Sequence, residues 1–246
     1  MDSETGRVEV RSGRHGHAPT VRRGTNGYET EVLRMRTWGM ANLWDERYSE
    51  HEAAFGTEPN DFLVKYAPRI PLGVGPVLCL GDGQGRNGVY LASLGHEVVS
   101  IDLSAVGLAG AERLAAERGV SISTVVADLA EYQPPSGCAA VVSIFCHMPS
   151  RVRSLAYPRL VAALLPGGFW LHESYSVAQV GRGTGGPSDP DLLPSGTRLQ
   201  QELTGLTHLF VREIERPVLE GPLHTGDAVV VQYLGAVGDP RAISEG

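Results

Sequence analysis

The sequence predicts a doubly wound α/β fold: one sheet of seven strands, mostly parallel, closed by an antiparallel C-terminal hairpin strand. Three observations carry this expectation. Strand-length apolar runs alternate with helical stretches from Pro76 onward. A glycine-rich loop joins the first of these strands to the first of these helices. Two long strands end the chain with no helix between them.

Strands are expected at 77–80, 97–101, 121–126, 139–145 and 169–174, with helices between them at 86–94, 105–118 and 151–165. Such alternation buries a parallel sheet under helices on both faces. The closing strands, 207–216 and 225–237, flank the turn-rich Glu220-Gly221-Pro222, so the last should run antiparallel. Upstream, a helix is expected from about 60 to 67, after the aromatic segment Trp38 to Phe62. Residues 1–34 are rich in Arg, Gly, Ser, Thr and His without an apolar period and read as a disordered tail, with Met35 and Met40 as alternative starts. The expected layout is a tail over 1–34, a lid segment with its helix over 35–75, the main domain over 76–237 and a short tail over 238–246.

The 246 residues suffice for one sizeable core, and 42% apolar with 20% charged residues is an ordinary globular balance. A net charge of −7 argues against nucleic acid as a partner. No apolar run reaches the ~18 residues of a membrane span, and the N-terminus lacks the apolar core of a secretory signal. Cys79, Cys138 and Cys146, mostly in apolar strand contexts, fit a reducing cytoplasm better than a disulfide frame. No second ligand pair accompanies Cys146 and His147, so no metal site is expected.

The run Val77-Leu78-Cys79-Leu80-Gly81-Asp82-Gly83-Gln84-Gly85-Arg86-Asn87-Gly88 points to the ligand. A buried strand turns tightly into a helix, and alternate glycines let a ligand approach the backbone. Gly83 to Gly88 is a literal G-x-G-x-x-G, so a nicotinamide-dependent oxidoreductase stays open. Asp102 ends the second strand about 20 residues on, where a carboxylate grips ribose hydroxyls in either case. Three details favour S-adenosylmethionine. Asp82 inside the loop repels a pyrophosphate but suits an ammonium and a sulfonium. Asp128, followed by Leu129, comes just after the third strand, where a carboxylate can accept from an adenine amino group. Leu165-Pro166-Gly167-Gly168 sits between a helix and the fifth strand, before the hairpin.

Together these residues resemble the class I S-adenosylmethionine-dependent methyltransferases, whose Rossmann-like sheet is the fold expected above. Within that class, residues 42–235 resemble the small-molecule enzymes related to bacterial tellurite-resistance and thiopurine methyltransferases. The resemblance rests on Trp44-Asp45-Glu46-Arg47-Tyr48, Gly56-Thr57-Glu58-Pro59-Asn60-Asp61-Phe62-Leu63 and Gly85-Arg86-Asn87. It rests also on Ser143-Ile144-Phe145-Cys146-His147-Met148-Pro149 and Gly183-Thr184-Gly185-Gly186-Pro187. The chain departs from the pattern at Asp82, often Glu, at Gln84, often acidic, and at Gly88, often Ala. The resemblance implies a lid before the first strand and a soft nucleophile as methyl acceptor: a thiol, selenol, tellurite or halide. An O- or N-methylated metabolite stays open, as does a non-catalytic cofactor-binding protein.

Gly81, Gly83 and Gly85, with Asn87 beside them, are expected to lie against the methionine part of the cofactor. Asp102, with Leu103, is expected to bind the ribose diol; its other reading is a helix N-cap, which Ser104 can supply instead. Asp128 and Leu129 flank adenine, unless Asp128 is a helix cap. Ser143, Ile144 and Phe145 end the fourth strand beneath the cofactor, core packing being the other reading of Phe145. In the lid, Arg47 pairs with the methionine carboxylate and Trp44 faces the sulfonium or acceptor, or the segment is an amphipathic helix anchored by Trp44. Phe55 and Pro59 shape the pocket mouth, and the 181–194 loop closes over the acceptor. Methyl transfer is an in-line displacement served mainly by positioning and dehydration. If the acceptor must lose a proton, His147 is the first candidate base, followed by Tyr175 and Glu173. Arg151 steers an anionic acceptor, or with Arg153 forms a solvated helix face. The expected partner is a small-molecule acceptor, with neither nucleic acid nor membrane.

Overall fold

The apolar run at 77–80 forms strand β1 (Val77–Leu80), buried along its whole length. A strand of this kind needs a neighbour on each edge and helices over both faces. The computed structural model of the chain describes residues 39–239 and supplies both. The expected tail over 1–34, Met35 and residues 240–246 lie outside the described residues.

In chain order, α1 covers residues 39–50 and α2 is Asp61–Tyr66. After β1 come α3 (Arg86–Ser93), β2 (Val98–Asp102), α4 (Ala105–Glu117) and β3 (Ser123–Val126). Then follow β4 (Cys138–Ile144), α5 (Ser150–Ala163), β5 (Leu164–Tyr175) and α6 (Gly196–Glu202). The hairpin β6 (Thr207–Leu219) and β7 (Thr225–Ala236) closes the sheet. β2 and β4 flank β1 in parallel register, β3 extends the sheet beyond β2, and β5 extends it beyond β4. β7 inserts antiparallel between β5 and β6, giving the order β3-β2-β1-β4-β5-β7-β6. The winding reverses between β1 and β4, which opens a crevice at the carboxyl ends of the strands.

The core on one face joins Phe62 and Leu63 of α2 to Val77, Val142, Leu171 and Leu234 from four strands. Each such side chain contributes roughly 1.5–3 kcal/mol by leaving water. No helix among the described residues is long and apolar enough to cross a membrane.

One boundary differs from expectation. Leu165-Pro166-Gly167-Gly168 is not a linker before the fifth strand: β5 begins at Leu164, directly after α5, and the segment is an irregularity within it. Gly167, at φ +80°, turns the backbone so that its N–H donates to Val237 O at 2.7 Å while Val237 N–H donates to Gly168 O at 3.0 Å. A pairing partner close at hand outweighs the strand-breaking tendency of Pro and Gly. The aromatic segment around Trp44 is helical as α1, and α6 follows the 181–194 loop in a stretch to which the sequence reading assigned no element.

Candidate active site

Beyond β1 the backbone turns through Gly81, Gly83 and Gly85 at φ +58°, +53° and +85°. Those angles favour glycine, and so does the space. A Cβ on Gly81 would stand 2.6 Å from Cys146 Sγ, one on Gly83 2.3 Å from Tyr48 Oη, and one on Gly85 2.5 Å from Ala111 Cβ. Gly81 and Gly85 border a cavity of about 480 Å³, but Gly83 does not: Tyr48 covers it. Gly85 has no side chain to cap α3, so Asp82 does it. Asp82 Oδ1 accepts from Gly88 N at 3.2 Å and Oδ2 from Ser100 Oγ at 2.6 Å. Burial pushes its carboxyl from 3.8 up to about 6, against those two bonds.

Asp102 ends β2 with both oxygens engaged, accepting from Gly83 N at 2.9 Å and Ser104 N at 2.8 Å. Ser104 supplies the α4 cap by accepting from Gly107 N at 2.9 Å. Burial raises the Asp102 carboxyl, and the bonds from Ser104 and Gly83 oppose it. Each oxygen keeps a second lone pair for a ligand hydroxyl. After β3, Asp128 Oδ1 accepts from Ala130 N at 2.8 Å. Asp82, Asp102 and Asp128 all border the cavity, and Leu103 and Leu129 give it apolar faces. Asn87 also borders it while its Oδ1 accepts from Asn60 N at 3.0 Å.

The lid helix α1 docks through Tyr48 and through Asp45, to which the sequence reading gave no role. Asp45 Oδ1 accepts from Ser104 Oγ at 2.5 Å at the N-terminus of α4. The Tyr48 ring fills the crevice between Gly83 and Gly107. Gln84 holds the following segment with three bonds to residues 51–54. The signals were present in Trp44-Asp45-Glu46-Arg47-Tyr48 and in the neutral Gln84. Trp44 stacks on Tyr48 at 5.7 Å, Arg47 lies 4.7 Å over the Trp44 ring, and Trp44 and Arg47 border the cavity.

At the far end of the cavity β4 gives way to Phe145, the one non-glycine residue among those described with positive φ, at 52°. That conformation costs about 1–2 kcal/mol and puts the ring on the wall. His147 borders the cavity beside it, stacked on Tyr175 at 5.5 Å. Burial, then His224 and His172, lowers His147 to about 3. His224 is a site residue that the sequence reading missed. It arrives on the β6–β7 turn, 4.6 Å from both Phe55 and Phe145. Burial, then Arg86, lowers it to about 4. The 181–194 loop contributes Gly186, Pro187 and Leu192 to the wall, and Phe55 borders it where Pro59 does not.

Three other expected site residues stand off the wall. The Tyr175 hydroxyl is covered, with Gly185 packed so closely that a Cβ there would lie 3.0 Å from it. Burial also pushes its phenol up to about 12. The Ser143 hydroxyl is covered within β4. Glu173 is fully buried, pairing with Arg216 and accepting from Gln232 and, at 2.8 Å, from Asn60 Nδ2. The network continues to Glu220, which pairs with Arg86 and, at 2.8 Å, with Arg216, and accepts from Asn60 at 2.9 Å. It fastens the β6–β7 turn to α3 and α2. Arg153 is not on a solvated face: it is buried against Glu202 at 2.7 Å. Arg151 is exposed on α5, away from the cavity wall.

Five parallel strands with β7 reversed between β5 and β6, and a glycine loop at the crevice, define the class I S-adenosylmethionine-dependent methyltransferase fold. Residues 77–168 match the family model described as a methyltransferase domain. The chain is 30% identical over 125 residues to the 2-heptyl-1-hydroxyquinolin-4(1H)-one methyltransferase of Mycobacteroides abscessus, covering 48% of this chain and 55% of that one. It thus spans about half the length of the curated relative it matches. Among solved structures it is similar to a protein described under "Conversion of a Disulfide Bond into a Thioacetal Group during Echinomycin Biosynthesis" (TM-score 0.66, 19% identity, 84% of this chain and 95% of that one). It is similar also to TehB from Haemophilus influenzae (TM-score 0.60, 19% identity, 72% and 62%). At these identities the structural likeness concerns the fold.

Proposed function

We propose that the protein is an S-adenosylmethionine-dependent methyltransferase acting on a small molecule. The observation that carries the reading is the row of three carboxylates, Asp82, Asp102 and Asp128, at the ends of successive strands around one cavity. Their chemistry fits the cofactor. Asp102 offers lone pairs to a ribose diol, and Asp128 with Leu103 and Leu129 frames an adenine. Gly81, Gly85, Asp82 and Asn87 meet the methionine end, where Arg47 of the lid faces its carboxylate. Bound there, the cofactor supplies a methyl group on a sulfonium. The chain's own part is to hold the acceptor in line and keep water out, through α1, the β6–β7 turn and the 181–194 loop.

For the acceptor we propose a soft nucleophile, with a thiol or selenol favoured by the largely apolar and aromatic wall around Phe55, Phe145 and Met148. The acceptor named for the Mycobacteroides relative, a hydroxyquinolone, supports a small organic molecule. Cys79, Cys138 and Cys146 are all free, which supports a reducing, cytoplasmic setting. The test is S-adenosylhomocysteine release, with mass-spectrometric detection of the methylated product, across thiols, selenols, aromatic hydroxyls, tellurite and iodide. Methylation of organic thiols or selenols is expected. Cofactor binding without turnover on any of them would leave a binding protein instead.

A further inference from the structure

Asn60 and Asn87 come from segments far apart in the chain and meet in the interior, where Asn87 Oδ1 accepts from Asn60 N at 3.0 Å. Asn60 is fully buried with its polar groups engaged. Its Oδ1 caps α2 by accepting from Leu63 N at 3.1 Å, and its O accepts from Val64 N at 2.9 Å. Its Nδ2 donates to Glu173 at 2.8 Å and to Glu220 at 2.9 Å. Arg86, beside Asn87, pairs with the other oxygen of Glu220 and donates to Glu58 O at 3.3 Å. Arg216 pairs with both carboxylates. Two guanidiniums thus face two carboxylates, so the cluster is balanced in charge and acts on the cavity through position. Each buried charge is costly unless its partner is in place, which fixes one arrangement of the segments that carry them.

What the cluster positions is the β6–β7 turn. The turn is bonded within itself: Glu220 N donates to His224 O at 2.7 Å, His224 N to Gly221 O at 3.2 Å and Thr225 Oγ1 to Gly221 O at 2.8 Å. Glu220 and His224 therefore move as one piece. The turn's other ties are slight. Leu223 N donates to Ala54 O at 3.3 Å, and Thr184 Oγ1 donates to Asp227 O at 2.6 Å just past the turn. Gly221 lies against the lid segment, where a Cβ would come within 2.3 Å of Gly56 N. His224 Nδ1 is covered and has no hydrogen-bond partner among the described residues, so packing against Phe55, Phe145 and Tyr175 holds the ring. Where that ring stands on the acceptor end of the wall follows from where the turn stands. Glu220 is the one charged side chain in 220–224 that can fix it.

We infer that Asn60 and Glu220 are positioning residues for the acceptor, and that His224 is the specificity-determining contact through which they act. The inference rests on the methyltransferase reading above. Arg86 and Asn87 follow the glycine loop that meets the cofactor, and through Asn60 and Glu220 they set the acceptor wall in register with it. Loss of this register is felt in acceptor binding and leaves cofactor binding intact, since the carboxylates and glycines around the cofactor keep their own partners.

The test compares the full-length wild type with Asn60→Ser and Glu220→Gln. Serine keeps the α2 cap and the backbone donation to Asn87 but drops both amide donations. The imidazole carbon–proton NMR signals of His224, assigned by their loss in His224→Gln, carry the ring-current shift of Phe55 and Phe145. In both variants they should move towards those of an exposed histidine, a readout that needs neither cofactor nor acceptor. With thiophenol as acceptor, KM should rise about fivefold or more, while kcat stays within about threefold and S-adenosylhomocysteine affinity within about twofold. In a His224→Gln background the same substitutions should add less than about twofold. Phe62→Leu, which disturbs α2 from its apolar side, should leave KM and the His224 signals alone. Unmoved His224 signals in Asn60→Ser and Glu220→Gln would overturn the proposal. So would a KM rise that persists in the His224→Gln background, or cofactor affinity that falls as far as acceptor affinity. Failure of the wild type to bind S-adenosylhomocysteine would instead overturn the methyltransferase reading itself.

Discussion

Gln84 Oε1 accepts the Ala54 N–H at 2.8 Å, while Gln84 Nε2 donates to the His51 and Glu52 carbonyls at 2.9 and 2.8 Å. One carboxamide thus ties the segment after α1 to the glycine loop. A carboxylate there has no proton for the two carbonyls and would face them as like partial charges. Gln84→Glu should therefore release the segment and weaken S-adenosylhomocysteine binding about tenfold, roughly the worth of one or two hydrogen bonds. Calorimetry checks this, and Gln84→Glu binding as tightly as the wild type would show that the clamp does not shape the site.

Gly83 is required by Tyr48. A Cβ at Gly83 would lie 2.3 Å from Tyr48 Oη, at a φ of +53°. Gly83→Ala should cost about 2–4 kcal/mol in urea unfolding, combining overpacking with backbone strain. In a Tyr48→Ala background the added cost should shrink to the backbone part alone. Additive effects in the double mutant would contradict this contact.

Asp82 makes stability depend on pH in a defined direction. Its folded carboxyl is raised from 3.8 to about 6, so within that window the folded state binds a proton that the unfolded chain does not. Its burial cost is present above about 6 and is relieved as pH falls towards 3.8. Asp82→Asn carries no such charge. Unfolding measured across the window should therefore show wild type gaining up to roughly 2–3 kcal/mol relative to Asp82→Asn as pH falls. A pH-independent difference would contradict the buried, ionisable Asp82.

Much of this was legible because it is local. The strand, glycine loop and helix at 77–93 lie within one stretch, and Asp102 and Asp128 follow strand ends that apolar runs mark. The rest depends on residues far apart in the chain. Arg86 meets Glu220 across 134 positions and Asn60 meets Glu220 across 160, so no local pattern marks the turn that delivers His224. Tyr175 and Ser143 looked functional because they lie at or near strand ends. Strand alternation turns side chains to opposite faces, and these two hydroxyls ended up covered. Pro166-Gly167-Gly168 read as a break, since sequence does not show that Val237 waits to pair with the two glycines.

Glu220 should matter for stability far more than an exposed acid. Burial alone would raise its carboxyl, but Arg86 and Arg216 hold it below the ordinary 4.5. Glu220→Gln leaves Arg86 without its carboxylate and Arg216 with Glu173 alone, and should cost about 3 kcal/mol. Glu215→Gln, from the exposed pair with Arg182 at 2.9 Å, should stay within about 0.5 kcal/mol. Urea unfolding of the two variants checks the contrast, and equal effects would contradict the network's role.

The most direct measurement of the central claim is calorimetric titration of the protein with S-adenosylhomocysteine and, separately, with NADH and NADPH. Saturable S-adenosylhomocysteine binding at one site per chain is predicted, sharply weakened in Asp102→Ala, with no binding of either nicotinamide. Tight binding of NADH or NADPH with no S-adenosylhomocysteine binding would contradict the account.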